Sequence, residues 1–184
     1  MRWVTAQCGY FRCLSTIFGK NNSEHHAMPT IQQEIEREVN EAIERTMRAV
    51  IMNLQVIGEK CVNAARSLPS MSRADEGADR PHRPNYIDDT GNLRSSIGYV
   101  LVVDGQIISE SSFASVGNGK QGSEAGKSFA ESLASNYPTG FALIVVAGMH
   151  YAEYVSAKGY DVLDTAELTA EQLVNQLMSE LTQQ

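Results

Sequence analysis

The chain has 184 residues and a mass of 20.2 kDa, and 42% of its residues are hydrophobic, which is enough to bury a sizeable core. Its 15 Lys and Arg residues against 22 Asp and Glu residues give a net charge of −7, which argues against a general surface for nucleic-acid phosphates. The longest apolar run, from Phe141 to Ala147, is far shorter than the roughly 20 residues of a membrane-spanning helix, so we expect no bilayer span.

The first 27 residues differ in charge from the rest of the chain. They contain three basic residues and one acidic residue, a net charge of +2, whereas residues 28–184 contain 12 basic and 21 acidic residues, a net charge of −9. Met28 directly precedes a helix start. We therefore predict that residues 1–27 are an extension, either disordered or a docking arm, whose deletion leaves the fold intact. Residues 28–184 are predicted to form a single α+β domain.

A long amphipathic helix is predicted at the start of this domain. Thr30 can cap the helix and Gln33 completes a capping box, after which apolar residues recur every three or four positions as far as Ser67. At 1.5 Å per residue this helix is about 55 Å long, more than a domain of this size can cover, so part of it must find another partner. The alternative is an intramolecular helix bent at Gly58. We predict an oligomer interface on the first residues of the apolar stripe: Ile31, Ile35, Val39, Ile43, Met47 and Val50.

Two segments rich in glycine, proline and polar residues, 69–85 and 114–126, are predicted to be flexible loops. Between them, Leu93 and Ile97 lie on one face of a short helix, and Asp104-Gly105 is the two-residue turn of a β-hairpin.

Helix and strand patterns also alternate in the last third of the chain. A helical stripe ends at Pro138, and Gly140 to Ala147 is an apolar run typical of a central strand covered on both faces. A short helix from His150, with Tyr151, Tyr154 and Val155 facing inward, precedes a predicted strand over residues 160–163 and a capped final helix. The predicted fold is α+β, with a long N-terminal helix and a C-terminal helix packed on a small, mostly antiparallel sheet.

No pattern in the sequence predicts catalysis, a cofactor or a metal. Residues 117–128 lack the earlier glycine of a phosphate-binding loop, and Asp88-Asp89 is better explained by turn and helix-cap chemistry than by a paired-carboxylate site. His150 and Glu153, three residues apart on a predicted helix, could share a metal ion. They leave a small metal-dependent enzyme as an alternative function.

Two short motifs and their order carry a resemblance to a known family. After the long helix and a loop, the first motif leads into the hairpin, and the second lies late in the chain and ends at a glycine. The residues concerned are Thr90, Gly91, Leu93, Arg94 and Ser95 in the first motif, and Tyr151, Ala152, Tyr154, Val155 and Gly159 in the second. These motifs in this order resemble the neck, or tail-completion, proteins of long-tailed phages and prophages, of the HK-type minor tail component family.

The resemblance implies a non-enzymatic virion protein of the head-to-tail joint, present in the host cytoplasm before assembly. It implies a homo-oligomer, a ring around the DNA channel, with portal or head-completion proteins and tail proteins as neighbours. DNA would pass through this ring without specific binding, and no cofactor is implied. A non-viral oligomeric adaptor is a further alternative.

Overall fold

The structure is a computed structural model that describes residues 2–8, 30–68 and 86–183, and for residues 2 and 6–8 it describes only the backbone. Helices and strands follow one another in these ranges in the order β1 (Arg2–Cys8), α1 (Ile31–Arg66), α2 (Asn92–Ser95), β2 (Ile97–Val103), β3 (Gln106–Glu110), α3 (Lys120–Ala134), β4 (Phe141–Ala147), α4 (Ala152–Ala157) and α5 (Asp164–Thr182). The predicted α+β class is confirmed, with a long helix near the N-terminus and another at the C-terminus.

The four strands form one antiparallel sheet in the order β1-β4-β2-β3. Strand β4 lies inside the sheet and every one of its residues is buried. Leu143 and Val145 belong to the cluster under α1 and α5, whereas Ile144 and Val146 belong to a second cluster under α3. Because both faces are covered, the strand has a continuous apolar sequence, and the prediction of a central strand is confirmed.

The hairpin between β2 and β3 is also confirmed. Asp104 and Gly105 both have positive φ, 48° and 80°, as a two-residue turn matched to the strand twist requires. The Asp104 carboxylate accepts a hydrogen bond from the Gly140 amide at 2.8 Å, which fixes the turn beside the start of β4.

Helix α1 begins and ends where the sequence predicts. The Gln33 amide donates to the Thr30 hydroxyl at 3.4 Å, and the Thr30 amide donates to the Gln33 side-chain oxygen at 2.9 Å, so the capping box is formed. The helix continues as one element through Gly58, where an added Cβ would lie 2.8 Å from the Tyr99 ring. Gly58 therefore allows close packing on β2.

None of the described helices offers the long, uncharged apolar stretch needed to cross a bilayer.

The prediction of an N-terminal extension is wrong for Arg2–Cys8. These residues pair along their whole length with β4, from Arg2 opposite Ala147 to Cys8 opposite Phe141. The sequence gives little sign of this, because the strand is short and its partner lies far along the chain. Deleting it would expose the backbone edge of β4, so we no longer expect the deletion to leave the fold intact. Residues 9–29 and the predicted loop 69–85 lie outside the described residues.

The flexible loop predicted over residues 114–126 is wrong from Lys120 onward, because α3 begins there. Glycine normally disfavours a helix interior, and this led to the prediction of a loop. In the fold these glycines permit close packing: a Cβ on Gly122 would collide with the Asn92 carbonyl, and a Cβ on Gly126 would collide with the Ser96 carbonyl. Helix α3 thus approaches α2 at backbone distance.

The strand predicted over residues 160–163 is absent from the described sheet. Val162 and Leu163 are fully buried, so the apolar pattern marks core residues correctly, but the chain bends there into α5. The Asp161 carboxylate accepts the Thr165 amide at 3.2 Å and caps the first turn. Helix α5 packs on the core through Leu173, Val174, Leu177 and Leu181.

The buried thiol of Cys61 gives the fold a predicted pH dependence. Burial raises its pKa from 9.0 to about 11. Because the folded state favours the neutral thiol, its stabilising contribution is complete below pH 9 and is lost as the pH rises towards 11. We expect this group to lower the free energy of unfolding by up to roughly 1.4 kcal/mol for each pH unit in that window.

Urea unfolding between pH 8 and pH 11 measures this effect, with Cys61→Ala as the comparison. The variant loses packing at every pH but has no thiol to ionise, so its stability should fall less steeply than that of the wild type above pH 9. Equal pH slopes in the two proteins would contradict the prediction.

Candidate functional site

The two motifs of the family resemblance lie side by side in the fold. The first motif forms the start of α2, and the second forms α4 directly after β4. Ser96, which ends α2, accepts the Met149 amide on its hydroxyl at 3.3 Å and the Gly148 amide on its carbonyl at 3.1 Å. These bonds fasten α2 to the link between β4 and α4, so residues more than fifty positions apart form one site, here called the motif junction.

The beginning of α2 is held by side-chain caps. Gly91 precedes the helix with φ of +77°, and an added Cβ there would collide with the Val116 carbonyl, so only glycine fits. The Asp88 carboxylate accepts the amides of Leu93 at 3.3 Å and Arg94 at 3.0 Å. The interpretation of Asp88 as helix-cap chemistry is confirmed.

The polar residues of the first motif bind backbone groups of other segments. The Ser95 hydroxyl is buried and accepts the Val116 amide at 2.8 Å. A terminal nitrogen of Arg94 donates to the Leu68 carbonyl at 2.7 Å, just beyond the end of α1. Both side chains therefore position the chain around α2, and Thr90 contributes a further bond by accepting the Asn92 amide at 3.3 Å.

Arg66 is part of the motif junction, and sequence reasoning missed it. It is the last residue of α1, and one terminal nitrogen donates to the carbonyls of Ser95 at 3.2 Å and Ala114 at 2.8 Å. Burial lowers the pKa of its guanidinium, and the nearby charge of Arg94 acts in the same direction. A cation in the last turn of a helix is a recognisable sequence signal, but the signal does not say which carbonyls it reaches.

A buried tyrosine lies between these groups. Tyr86 is 3% exposed, and burial raises its pKa to about 12, opposed by the adjacent Arg94 guanidinium. Burial also raises the pKa of Tyr151, and the negative charge of Asp88 adds a smaller rise at both Tyr86 and Tyr151, so Asp88 lies within electrostatic reach of the two rings. Within the described ranges, the Nε atoms of Arg66 and Arg94 are buried without a hydrogen-bond partner.

The second motif anchors α4 on the core. Ala152 is fully buried, and Tyr151 and Val155 are half-buried against the core. Tyr154 differs from the prediction, because its ring is exposed, with the Lys158 ammonium 4.6 Å from the ring centroid. Gly159 follows α4 with φ of +87°, as expected of a glycine that terminates a helix.

The two residues of the metal-dependent alternative, His150 and Glu153, belong to no larger cluster of metal-binding side chains among the described residues. His150 is exposed and packs edge-on against the Tyr151 ring at 5.2 Å, and Glu153 is also exposed. No group of three or more His, Cys, Asp or Glu side chains in the described segments could hold a metal ion. Lys127 is the lysine of the segment 117–128 that was compared with a phosphate-binding loop. It lies inside α3, where its ammonium bonds the Glu110 carboxylate at 2.6 Å.

The predicted interface on α1 divides into two parts. Ile31, Ile35 and Val39 are 82%, 56% and 52% exposed. Ile43 is half-buried, while Met47 packs on the core and Val50 is only 3% exposed. The prediction is therefore wrong for Val50, which belongs to the core, whereas Met47 is partly buried like Ile43. Residues 31–49, here called the α1 arm, form about 28 Å of helix with few contacts to the described core.

Two further exposed apolar residues on α1 were missed. Met52 and Val56 are more than half exposed and lie on the far side of the helix from Leu54 and Cys61. Their spacing of four residues was a usable signal. It was overlooked because the stronger stripe follows the core-facing side of the same helix.

Comparisons of the chain with protein-family profiles, with curated proteins and with solved structures find no match.

Proposed function

We propose that this protein is a structural virion subunit of the neck, or tail-completion, type, which assembles into a ring in the head-to-tail joint around the DNA channel. The virion assignment rests on the resemblance of the two motifs. Self-association rests on one observation, the exposed apolar stripe of the α1 arm.

Among the described residues, most of the α1 arm has few of the tertiary contacts that normally stabilise a helix, since Met47 packs on the core but Ile31 and Ile35 are exposed. Its ion pairs, Arg37 with Glu34 and Arg48 with Glu44, are exposed pairs within the helix and contribute at most a few tenths of a kcal/mol each. In proteins most of the stability of a helix comes from packing its apolar face, and the exposed part of the arm gains little of it from the described core. Packing Ile31, Ile35 and Val39 on another copy would bury apolar surface and stabilise the arm.

The charge of the chain supports passage of DNA rather than tight binding. Residues 28–184 carry a net charge of −9, so a ring of these subunits presents a neutral or acidic surface to phosphates. Portal or head-completion proteins and tail proteins are the proposed neighbours. The subunit would lie in the host cytoplasm before assembly and in the neck of the virion afterwards.

Substituting Ile35 with aspartate is expected to weaken assembly without unfolding the subunit. Ile35 lies on the exposed stripe, whereas Ile43 is half-buried. A charge at position 35 therefore affects association with less effect on the stability of the fold than a charge at position 43. Asn40→Asp adds the same charge on another side of the exposed arm and serves as the matched control. Light scattering across concentrations measures the oligomer, and thermal unfolding measures the fold.

We expect wild type and Asn40→Asp to form a closed oligomer, and Ile35→Asp to dissociate with an unfolding midpoint within about 2 °C of the wild type. A wild-type chain that stays monomeric at every concentration would contradict self-association. Mass spectrometry of purified tailed particles from the strain that encodes the chain tests the virion assignment. Absence of the chain from such particles would favour the non-viral adaptor.

A further inference from the structure

We infer that copies of this chain join edge to edge through their sheets, with β3 of one copy pairing antiparallel to β1 of the next. This inference rests on the proposed self-association and specifies a second contact for it. The contact is separate from the α1 arm, because it uses the two outer strands of the sheet.

Both edges of the described sheet are open. Strand β1 pairs only with β4, and β3 pairs only with β2, among the described strands. An open edge presents unpaired backbone amides and carbonyls to another strand, and proteins commonly protect such edges with lysine or proline. Neither strand contains either residue, since their sequences are RWVTAQC and QIISE.

The directions of the two edge strands are compatible with a ring. Every neighbouring pair in the order β1-β4-β2-β3 is antiparallel, so β1 and β3 run in opposite directions. When a second copy continues the sheet in the same orientation, its β1 meets β3 of the first copy in antiparallel fashion. The contact joins the β3 edge of one copy to the β1 edge of the next. Repetition of such a contact gives a closed ring when the rotation between neighbouring copies is a whole fraction of a full turn.

Exposed apolar side chains at the two edges lie on the same face of the sheet. Trp3 pairs with Val146, and Ile107 pairs with Val102, and both partners belong to the cluster under α3. Trp3 is 46% exposed and Ile107 is 39% exposed. In a sheet continued from copy to copy, these side chains lie on a common face and can cover each other. Ile108, exposed at the bulge in β3, extends the same apolar edge.

Site-directed cross-linking tests the contact. Cys8 and Cys13 are replaced by serine, and the buried Cys61 is kept. One batch of protein then carries Trp3→Cys and another carries Ile107→Cys, and a short bismaleimide is added to each batch and to their mixture. We expect a covalent dimer only in the mixture, and a ladder of covalent oligomers from a chain that carries both substitutions. Leu168→Cys, exposed on α5, is the matched control and should not cross-link to Trp3→Cys.

The possible results separate this inference from the proposed function. A dimer formed by Ile107→Cys alone would mean a two-fold β3 contact and would overturn the inference. A ring by light scattering without the expected cross-link would also overturn it while leaving the proposed self-association intact, and a monomer would overturn both. As an independent check, Ile107→Lys should raise the concentration for half-assembly by roughly tenfold or more without lowering the unfolding midpoint.

Discussion

Replacing Gly126 with valine is expected to lower the free energy of unfolding by about 3 kcal/mol. In an ordinary helix the same change would be neutral or slightly favourable, because valine has a better helix propensity than glycine. In α3, however, any side chain at this position collides with the Ser96 carbonyl and would come within 2.9 Å of the Phe113 ring. The collision is relieved only if α3 moves away from Ser96 at the end of α2.

Urea unfolding of three proteins measures this effect. Ser128→Ala, exposed in the same helix, reports helix propensity alone and should change the free energy of unfolding by less than about 0.5 kcal/mol. Gly126→Ala should already be destabilised, because its Cβ alone causes the collision. If Gly126→Ala were as stable as the wild type, the close approach of α3 to α2 would be wrong.

Replacing Arg66 with methionine is expected to lower the free energy of unfolding by about 2 to 3 kcal/mol. Methionine keeps the aliphatic stem but removes the charged donor that binds the carbonyls of Ser95 and Ala114. Hydrogen bonds from a charged donor are worth more than neutral ones, and the Ser95 carbonyl would lose a partner at a part-buried site. The loss of a poorly solvated charge offsets part of this cost.

Arg48→Met is the matched control for Arg66→Met. Arg48 lies on the same helix, is 68% exposed, and pairs only loosely with Glu44 at 3.6 Å. Its replacement should change the free energy of unfolding by less than about 0.5 kcal/mol. Similar effects for the two substitutions in urea unfolding would show that the bonds of Arg66 do not hold the motif junction together.

The sequence predicted correctly those helices and strands that are specified by their own local pattern of residues. The turn at Asp104-Gly105, the apolar run of β4 and the spacing along α1 each specify an element without knowledge of the rest of the chain. Elements that depend on distant partners were missed. Strand β1 exists because it pairs with β4, and α3 tolerates its glycines because they pack on α2.

The site was predicted less completely than the fold for the same reason. The motif residues were named, but the sequence does not show that Ser96 joins the two motifs or that Arg66 binds α2. Along α1 the apolar stripe is continuous, so nothing in it distinguishes exposed Val39 from buried Val50. The point at which the stripe becomes buried depends on how far the rest of the domain extends along α1. The periodicity of α1 carries no information about that extent.

The pairing of β1 with β4 has a consequence for how the subunit is made. Its paired residues lie 133 positions apart at one end, from Cys8 to Phe141, and 145 apart at the other, from Arg2 to Ala147. Contacts of such long sequence separation form slowly, since the intervening chain must be ordered first. At ribosomal speeds of about 5 to 20 residues per second, β1 waits roughly 7 to 30 seconds for β4 to be synthesised. Because β2 is much nearer to β4 in sequence, we expect β4 to pair with β2 first and β1 to complete the sheet from its outer side, as one of the last parts of the subunit to become native.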